Sequence, residues 1–186
     1  MAPEAIPAEV VLLRDFVNSY EPQVDDETLD RPAALRDWFV ARGLLPASAR
    51  LAAADLTAAR AVREGIRAML LEHGGHEAVG AAIEAGNRIL AGLPVRAAFG
   101  PGGYRLVPAG DAAIERALVG LLEAIRQATE AHTWPRLKVC DRDTCRWAYY
   151  DTSRNQSRRW CSMAGCGNHI KMKRAYAARV ARADTD

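Results

Sequence analysis

The chain has 186 residues, 49% apolar and 26% charged, a composition that excludes wholesale disorder. No apolar run approaches the roughly 18–20 residues of a membrane span, and Met1-Ala2-Pro3-Glu4-Ala5 lacks the basic and apolar segments of a secretory signal, so a cytoplasmic protein with no membrane partner is expected. The net charge of +2 hides a split: residues 1–135 carry 13 arginines, no lysine and 18 acids, a net −5, whereas residues 136–186 carry 12 lysines and arginines against 5 acids, a net +7. Such asymmetry points to a polyanion as partner of the basic part, or to a solvated basic face without one.

Residues 1–135 read mostly as helices rich in Ala and Leu. Val10, Leu13, Phe16 and Val17 recur at helical spacing and predict a largely buried helix from Glu9 to Tyr20. The acidic stretch Glu21 to Asp30 contains Pro22 and reads as a loop. Asp30 has the chemistry of an N-cap, with Pro32 in the first turn and Leu35, Trp38 and Phe39 behind it. That helix should stop near Gly43. Ser48 to about His73 is the longest helical pattern, and Gly65 inside it costs about 1 kcal/mol against alanine. Gly74-Gly75 ends it. Ala78 to Leu90 is a further helix. From Val95 to Val107 the period changes to two, broken by Gly100-Pro101-Gly102-Gly103, which predicts a β-hairpin. A lone hairpin is marginal in water and must lie on the helices. Asp111 should cap a long helix, Ala112 to about Ala131. Thr133-Trp134-Pro135 marks the boundary to the basic part.

The four cysteines, Cys140, Cys145, Cys161 and Cys166, form C-x4-C-x15-C-x4-C. Two short hooks separated in this way are the layout of a four-thiolate zinc site, each hook converging two sulfurs on one ion. Two disulfides would use the same residues, but a reducing compartment disfavours them. An iron–sulfur cluster also takes four thiolates, and four unrelated core cysteines are the remaining reading. Four protein ligands leave zinc no open position for water, so the metal is structural rather than catalytic. A segment this short builds little core. Zinc, worth about 10–16 kcal/mol in small finger peptides, would be what folds it.

Behind Cys166, Asn168 is a candidate N-cap for a basic helix. His169, Met172, Tyr176 and Val180 fall on one helical face, and Lys171, Arg174, Ala178 and Arg182 on the other. The apolar side should pack on the zinc knuckle and the cationic side stay free. Between the hooks, Arg146 to Tyr150 alternates like a short strand. Asp151 to Trp160 is a polar loop whose arginines suit phosphate and base-edge contacts. Alternatively Asp151 pairs with an arginine and the loop only caps the knuckle. Trp147, Tyr149 and Trp160 read as the knuckle's miniature core rather than as stacking platforms.

The run Asp151-x-Ser153-Arg154-Asn155-x-x-Arg158-Arg159-Trp160-Cys161-Ser162-Met163-x-x-Cys166-Gly167-Asn168, followed by Lys171 and Tyr176, closely resembles the CGNR zinc finger. Such fingers commonly follow an ABATE domain in proteins described as stress-induced transcription regulators. Asp15-Phe16-Val17-Asn18-Ser19 resembles an early signature of that domain, and the Arg60 to Leu71 helix and the hairpin fall in the expected order. The fold implied is mainly α: a helical N-terminal domain with one β-hairpin over residues 1–135, and a small zinc finger with a basic helix over 136–186. One departure stands out. His169 occupies the place of the family's arginine, so a cationic fork is missing; on the helical wheel it faces inward, against a thiolate or in place of one.

The expectation is a zinc-containing transcription regulator that docks on DNA through Arg154, Arg158, Arg159, Lys171, Lys173, Arg174 and Arg179. Residues 1–135 would sense a small-molecule effector or form a homodimer. Asp15 and Asn18 are candidate groups of a ligand pocket, or else buried hydrogen-bonding groups. An RNA-binding or ribosome-associated protein would use the same cations. An enzyme is not expected: His73, His76 and His132 sit in no nucleophile or metal motif, and His73-Gly74-Gly75-His76 reads as a solvated helix end.

Overall fold

The computed structural model describes residues 5–77, 79–100 and 103–183, the last three as backbone only. Met1 to Glu4, Ala78, the turn residues Pro101 and Gly102, and the side chain of Arg182 lie outside the described residues. The order is α1 (Ala8–Val17), β1 (Tyr20–Glu21), β2 (Asp26–Glu27), α2 (Pro32–Ala41), α3 (Ala53–Glu72), α4 (Gly80–Ala91), β3 (Val95–Gly100), β4 (Gly103–Pro108) and α5 (Ala113–Glu130). A 3-10 turn (Trp134–Arg136) leads into β5 (Leu137–Val139) and β6 (Ala148–Tyr150), and a π turn (Met163–Gly167) opens into α6 (Asn168–Ala183). The chain is mainly α, with each strand pair a separate antiparallel ladder. No helix among the described residues is long and apolar enough to cross a membrane.

Several boundaries differ from the sequence pattern, each for a local reason. Helix α1 stops at Val17, where the Ser19 hydroxyl and amide both donate to the Phe16 carbonyl. The expected loop after it holds the β1–β2 ladder, pinned from α3: Arg63 grips the Glu27 carboxylate with two bonds of 2.7 Å. Asp30 does not cap α2. It pairs with Arg31 at 3.0 Å, and Arg31 takes the cap position, with Pro32 supplying a first turn that needs no amide donor. Helix α3 begins at Ala53, because the Asp55 carboxylate accepts the Ala52 N–H at 2.7 Å. Asp111 does not cap α5 either; the Ala112 N–H reaches Glu115 at 3.3 Å.

The core gathers Val10, Leu13 and Phe16 of α1, Leu35 and Phe39 of α2, Ile66 and Leu70 of α3, and Leu118 and Leu121 of α5. Phe16, Trp38 and Phe39 form an aromatic trio with centroids 5.3–6.0 Å apart. Gly65 belongs where α3 crosses α4: a Cβ there would lie 3.6 Å from the Gly86 Cα, so anything beyond a methyl would push the helices apart. The β3–β4 hairpin does lie on a helix, as its marginal stability demands. Glu123 of α5 accepts the Leu106 N–H at 2.8 Å, and its carboxyl is held at about 2, chiefly by hydrogen bonds from Arg126.

The same core continues past residue 135. Leu137 and Val139 of β5 and Ala148 of β6 are buried in it with the helices. The hairpin that carries the first cysteine hook is therefore packed as part of the helical body.

Candidate zinc centre and cationic surface

Strand β5 runs straight into Cys140, whose N–H donates to the Trp147 carbonyl at 2.9 Å and extends the ladder by one rung. The chain then turns back through Arg142 and Cys145, and Arg146 takes a left-handed backbone, φ 49°. The second hook is closed by Ser162, whose hydroxyl accepts the Gly165 N–H at 3.2 Å and whose carbonyl accepts the Gly167 N–H at 2.9 Å. Gly167 is buried where a Cβ would meet the Met163 sulfur at 3.0 Å. Ser162 is thus the capping residue, and Asn168, at φ −65° and ψ −40°, is already helical rather than the cap expected.

These turns bring the four sulfurs within 4.8 Å of one another. Cys161 Sγ lies 3.8 Å from both Cys145 and Cys166 Sγ. A tetrahedron with zinc–sulfur bonds of about 2.3 Å has edges of about 3.8 Å, so the cluster has the size of one four-coordinate ion. It is nearly twice too wide for a disulfide at about 2.05 Å, and all four thiols are free. The thiols compete for protons: hydrogen bonds from Cys145 and Cys161 pull Cys140 far below its usual range, and those with Cys140 and Cys145 push Cys161 up. Such a donor set is completed by a cation.

Zinc with four thiolates carries a net charge of −2, which needs positive neighbours. Arg142 Nη1 stands 4.0 Å from Cys166 Sγ. Arg158 is turned inward: its Nε donates to the Trp160 carbonyl at 2.8 Å, its Nη2 to the Cys161 carbonyl, and the guanidinium lies 4.7 Å over the Tyr149 ring. Arg158 is framework, and this corrects its expected place on the DNA-facing surface. Trp147 and Trp160 pack on the cysteine cluster, as a miniature core should.

Asp151 organises the loop, and its ion-pair partner is a lysine, where the capping alternative named an arginine. Fully buried, it accepts from Lys138 Nζ at 3.0 Å, from the Ser153 hydroxyl at 2.6 Å, and from the N–H groups of Ser153 and Arg158 at 3.0 Å each. Burial alone would raise its pKa, but these bonds outweigh it and hold the carboxyl below the ordinary value.

Four side chains sew the finger to the body. Asn18 donates to the Ala148 carbonyl at 2.9 Å and accepts its N–H at 2.7 Å. Buried Arg67 donates to the carbonyls of Val17, Tyr20 and Arg146 at 2.7, 3.0 and 2.9 Å. His73 Nδ1 donates to the Leu137 carbonyl at 2.7 Å, and His76 Nε2 meets Asp141 at 2.5 Å. The His73–His76 segment is therefore a joint with the finger rather than the solvated helix end expected. Asp15 pairs with Arg14 at 2.8 Å and Arg42 at 3.7 Å. Asp15 and Asn18 do line one open cleft of about 550 Å³ with Trp147 and Tyr149, but the Asn18 amide is spent on Ala148. Arg63, Arg67, Lys138 and the role of Asn18 escape sequence reasoning. Their signal is weak: lone charged residues inside apolar runs, whose partners lie far along the chain.

Helix α6 departs most from expectation. Its apolar face is uncovered: Met172, Tyr176 and Val180 are 73, 63 and 42% exposed, and His169 is exposed too, neither inward nor a ligand. The helix packs on the π turn before it and projects outward. Lys171, Lys173 and Arg174 are exposed with no side-chain partner among the described residues, and Arg179 touches only the Tyr176 ring, 5.8 Å away. Arg154 is equally exposed and has no partner among the described residues, whereas Arg159 is tied to Asp141 at 2.5 Å.

With this geometry in hand, two family profiles match. One, described as "Putative stress-induced transcription regulator" and named ABATE, covers residues 11–133. The other, the CGNR zinc finger, covers residues 136–179. No curated protein matches the chain.

Proposed function

The chain belongs to the ABATE family and carries a CGNR zinc finger behind that domain, and from this premise we propose that it is a zinc-dependent DNA-binding regulator. The observation that carries the reading is the concentration of exposed cations with no carboxylate partner among the described residues on the finger: Lys171, Lys173, Arg174 and Arg179 on one projecting helix, with Arg154 on the loop before it. A folded body satisfies most of its arginines internally, as Arg63, Arg67 and Arg158 show here. Cations left bare on a projecting helix suit a phosphate backbone. Ala175, Ala177 and Ala178 keep that helix slender, which suits entry into a major groove.

In this reading zinc is scaffold. Its four thiolates leave no place for water or substrate, and the protein is not an enzyme. The helical body acts as the sensor or interaction module, and the protein works in the cytoplasm in the stress response that the family description names.

The test is anisotropy of the zinc-loaded full chain on labelled duplex DNA and single-stranded RNA across salt. Five neutralised phosphates give a log–log slope of about −4 to −5. Replacing Lys171, Lys173 and Arg174 with alanine should flatten the slope by about 3. A flat salt response in the parent chain overturns the reading, and tighter binding to RNA than to duplex replaces DNA with RNA as the partner.

A further inference from the structure

The uncovered stripe of α6 has a counterpart on the helical body. Met172, Tyr176 and Val180 recur every four residues and so share one face, edged by Lys173 on one side and Arg179 on the other. Between α1, the end of α2 and α5 lies an open groove of about 710 Å³. Its floor is apolar, with Val11, Leu12 and Leu44. Leu44 lies across the bare backbone of Gly120, where a Cβ would come within 2.6 Å of its Cδ2. Glu9, Asp15 and Glu123 line the same groove, against one cation, Arg42. Asp15 and Glu123 are shared with arginines, while Glu9 has no partner among the described residues.

The apolar floor matches the apolar stripe, and Glu9 at the rim is the carboxylate left to meet a cationic edge. The match repeats the larger charge split, −5 on residues 1–135 against +7 on residues 136–186. The helix cannot simply fold onto its own body, because α6 starts two residues after Cys166 and is fixed there to the sulfur cluster. Pairing α6 with another α6 would oppose like charges along both edges. We propose that the α6 stripe of one copy seats in the apolar groove between α1 and α5 of a second copy, with Glu9 at its rim, and reciprocally, in a closed two-fold dimer. Lys171 and Arg174 sit on the far side of the helix and stay available, so the dimer would present two cationic faces. The docking itself does not depend on nucleic-acid binding.

Sedimentation equilibrium of the zinc-loaded full chain, without nucleic acid, reads the docking alone and is therefore separate from the salt test above. Wild type should show twice the mass of one chain at micromolar concentration, weakening as salt rises. Met172→Glu/Tyr176→Glu, on the exposed stripe, and Glu9→Gln/Gln127→Lys, on the rim, should each weaken the dimer at least tenfold while zinc content and the far-UV circular dichroism spectrum stay unchanged. An equimolar mixture of the two variants should recover part of the dimer, because one intact helix then meets one intact groove. A monomeric wild type, a rim variant that dimerises like wild type, or a mixture that stays monomeric each overturns the proposal; the second outcome would mean that the stripe pairs with something other than the groove.

Discussion

Asp151→Ala tests what holds the finger's loop. The carboxylate has no exposed surface, so water cannot replace it for its four donors. Without it, the Lys138 ammonium, 5% exposed, keeps only the Gln156 carbonyl among the described residues. Breaking a buried pair by removing one partner costs about 3–5 kcal/mol, and at about 2–4 °C per kcal/mol for a chain of this size the Tm should fall by about 6–20 °C. Asp143→Ala is the matched control: it too loses an ion pair, with Arg146, but its side chain is 89% exposed, and the cost should stay within about 1 kcal/mol. The assay is thermal and urea unfolding at one fixed free-zinc level, because bound metal adds its own stabilisation. Asp151→Leu with Lys138→Met should recover part of the loss, since it removes both charges together but leaves the Ser153 and Arg158 donors without their acceptor. The acid limb carries the same signature. The folded pKa of Asp151 lies below its unfolded value, so its contribution is full above about pH 4 and is lost as pH falls through the lower folded value. The alanine variant should lack that part of the acid transition. If Asp151→Ala costs no more than Asp143→Ala, or if the double variant is as weak as the single one, the buried pair is not what holds the loop.

Asn18→Ala strands the N–H and carbonyl of Ala148, a residue 1% exposed, and should cost roughly 2–4 kcal/mol by urea unfolding with zinc bound; a loss below about 0.5 kcal/mol would mean that the clip is idle. His73 is pushed below its usual pKa, chiefly by burial, so the folded state takes up its proton less readily than the unfolded one. Its contribution is therefore complete above about pH 6.5 and fades as pH falls toward the folded value. His73→Gln should flatten the stability profile below that pH, and an unchanged profile would count against the assignment. Removing zinc with a chelator should expose the amides of residues 141–146 and 157–176 to hydrogen exchange within the dead time, while β5 and β6 keep protection; loss of protection at Leu137–Val139 would show that zinc, rather than the body, holds the hairpin.

The legible features were the ones that depend on residues near in sequence. The four cysteines announce a metal by their spacing alone, because hooks are local. The stripes of α1 and α5 and the β3–β4 hairpin show in their periodicity for the same reason. What stayed hidden depends on partners met only after folding. Nothing near Glu27 reveals Arg63, which is 36 residues away, and nothing near Asn18 reveals Ala148, 130 residues away. The capping errors at Asp30 and Asp111 are of another kind. Each is chemically a good cap, but Asp30 is engaged by Arg31, and at α5 Glu115 reaches back to the Ala112 amide. The wheel of α6 grouped its residues correctly by face; it could not show that the apolar face packs on nothing among the described residues.

The join between finger and body explains a difficulty in the smaller part. A segment of about 50 residues has too little apolar surface to fold alone, and metal ligation is the usual remedy. Here the remedy is divided. Leu137, Val139 and Ala148 are buried in the helical core, and Asn18, Arg67 and His73 take up the backbone groups of β5, β6 and Arg146 that would otherwise be orphaned beside it. The body therefore orders one cysteine of the first hook, Cys140, before any metal arrives. Zinc then has only the turns and the second hook to organise, and ordering the second hook is what aims α6, since that helix starts directly behind Cys166. The direction of the cationic helix is thus set by zinc through Cys161 and Cys166, and the position of the zinc is set by the body through β5. A change anywhere along Asn18, Ala148 and Cys140 should for that reason move the cationic surface of α6 without touching a single cation on it.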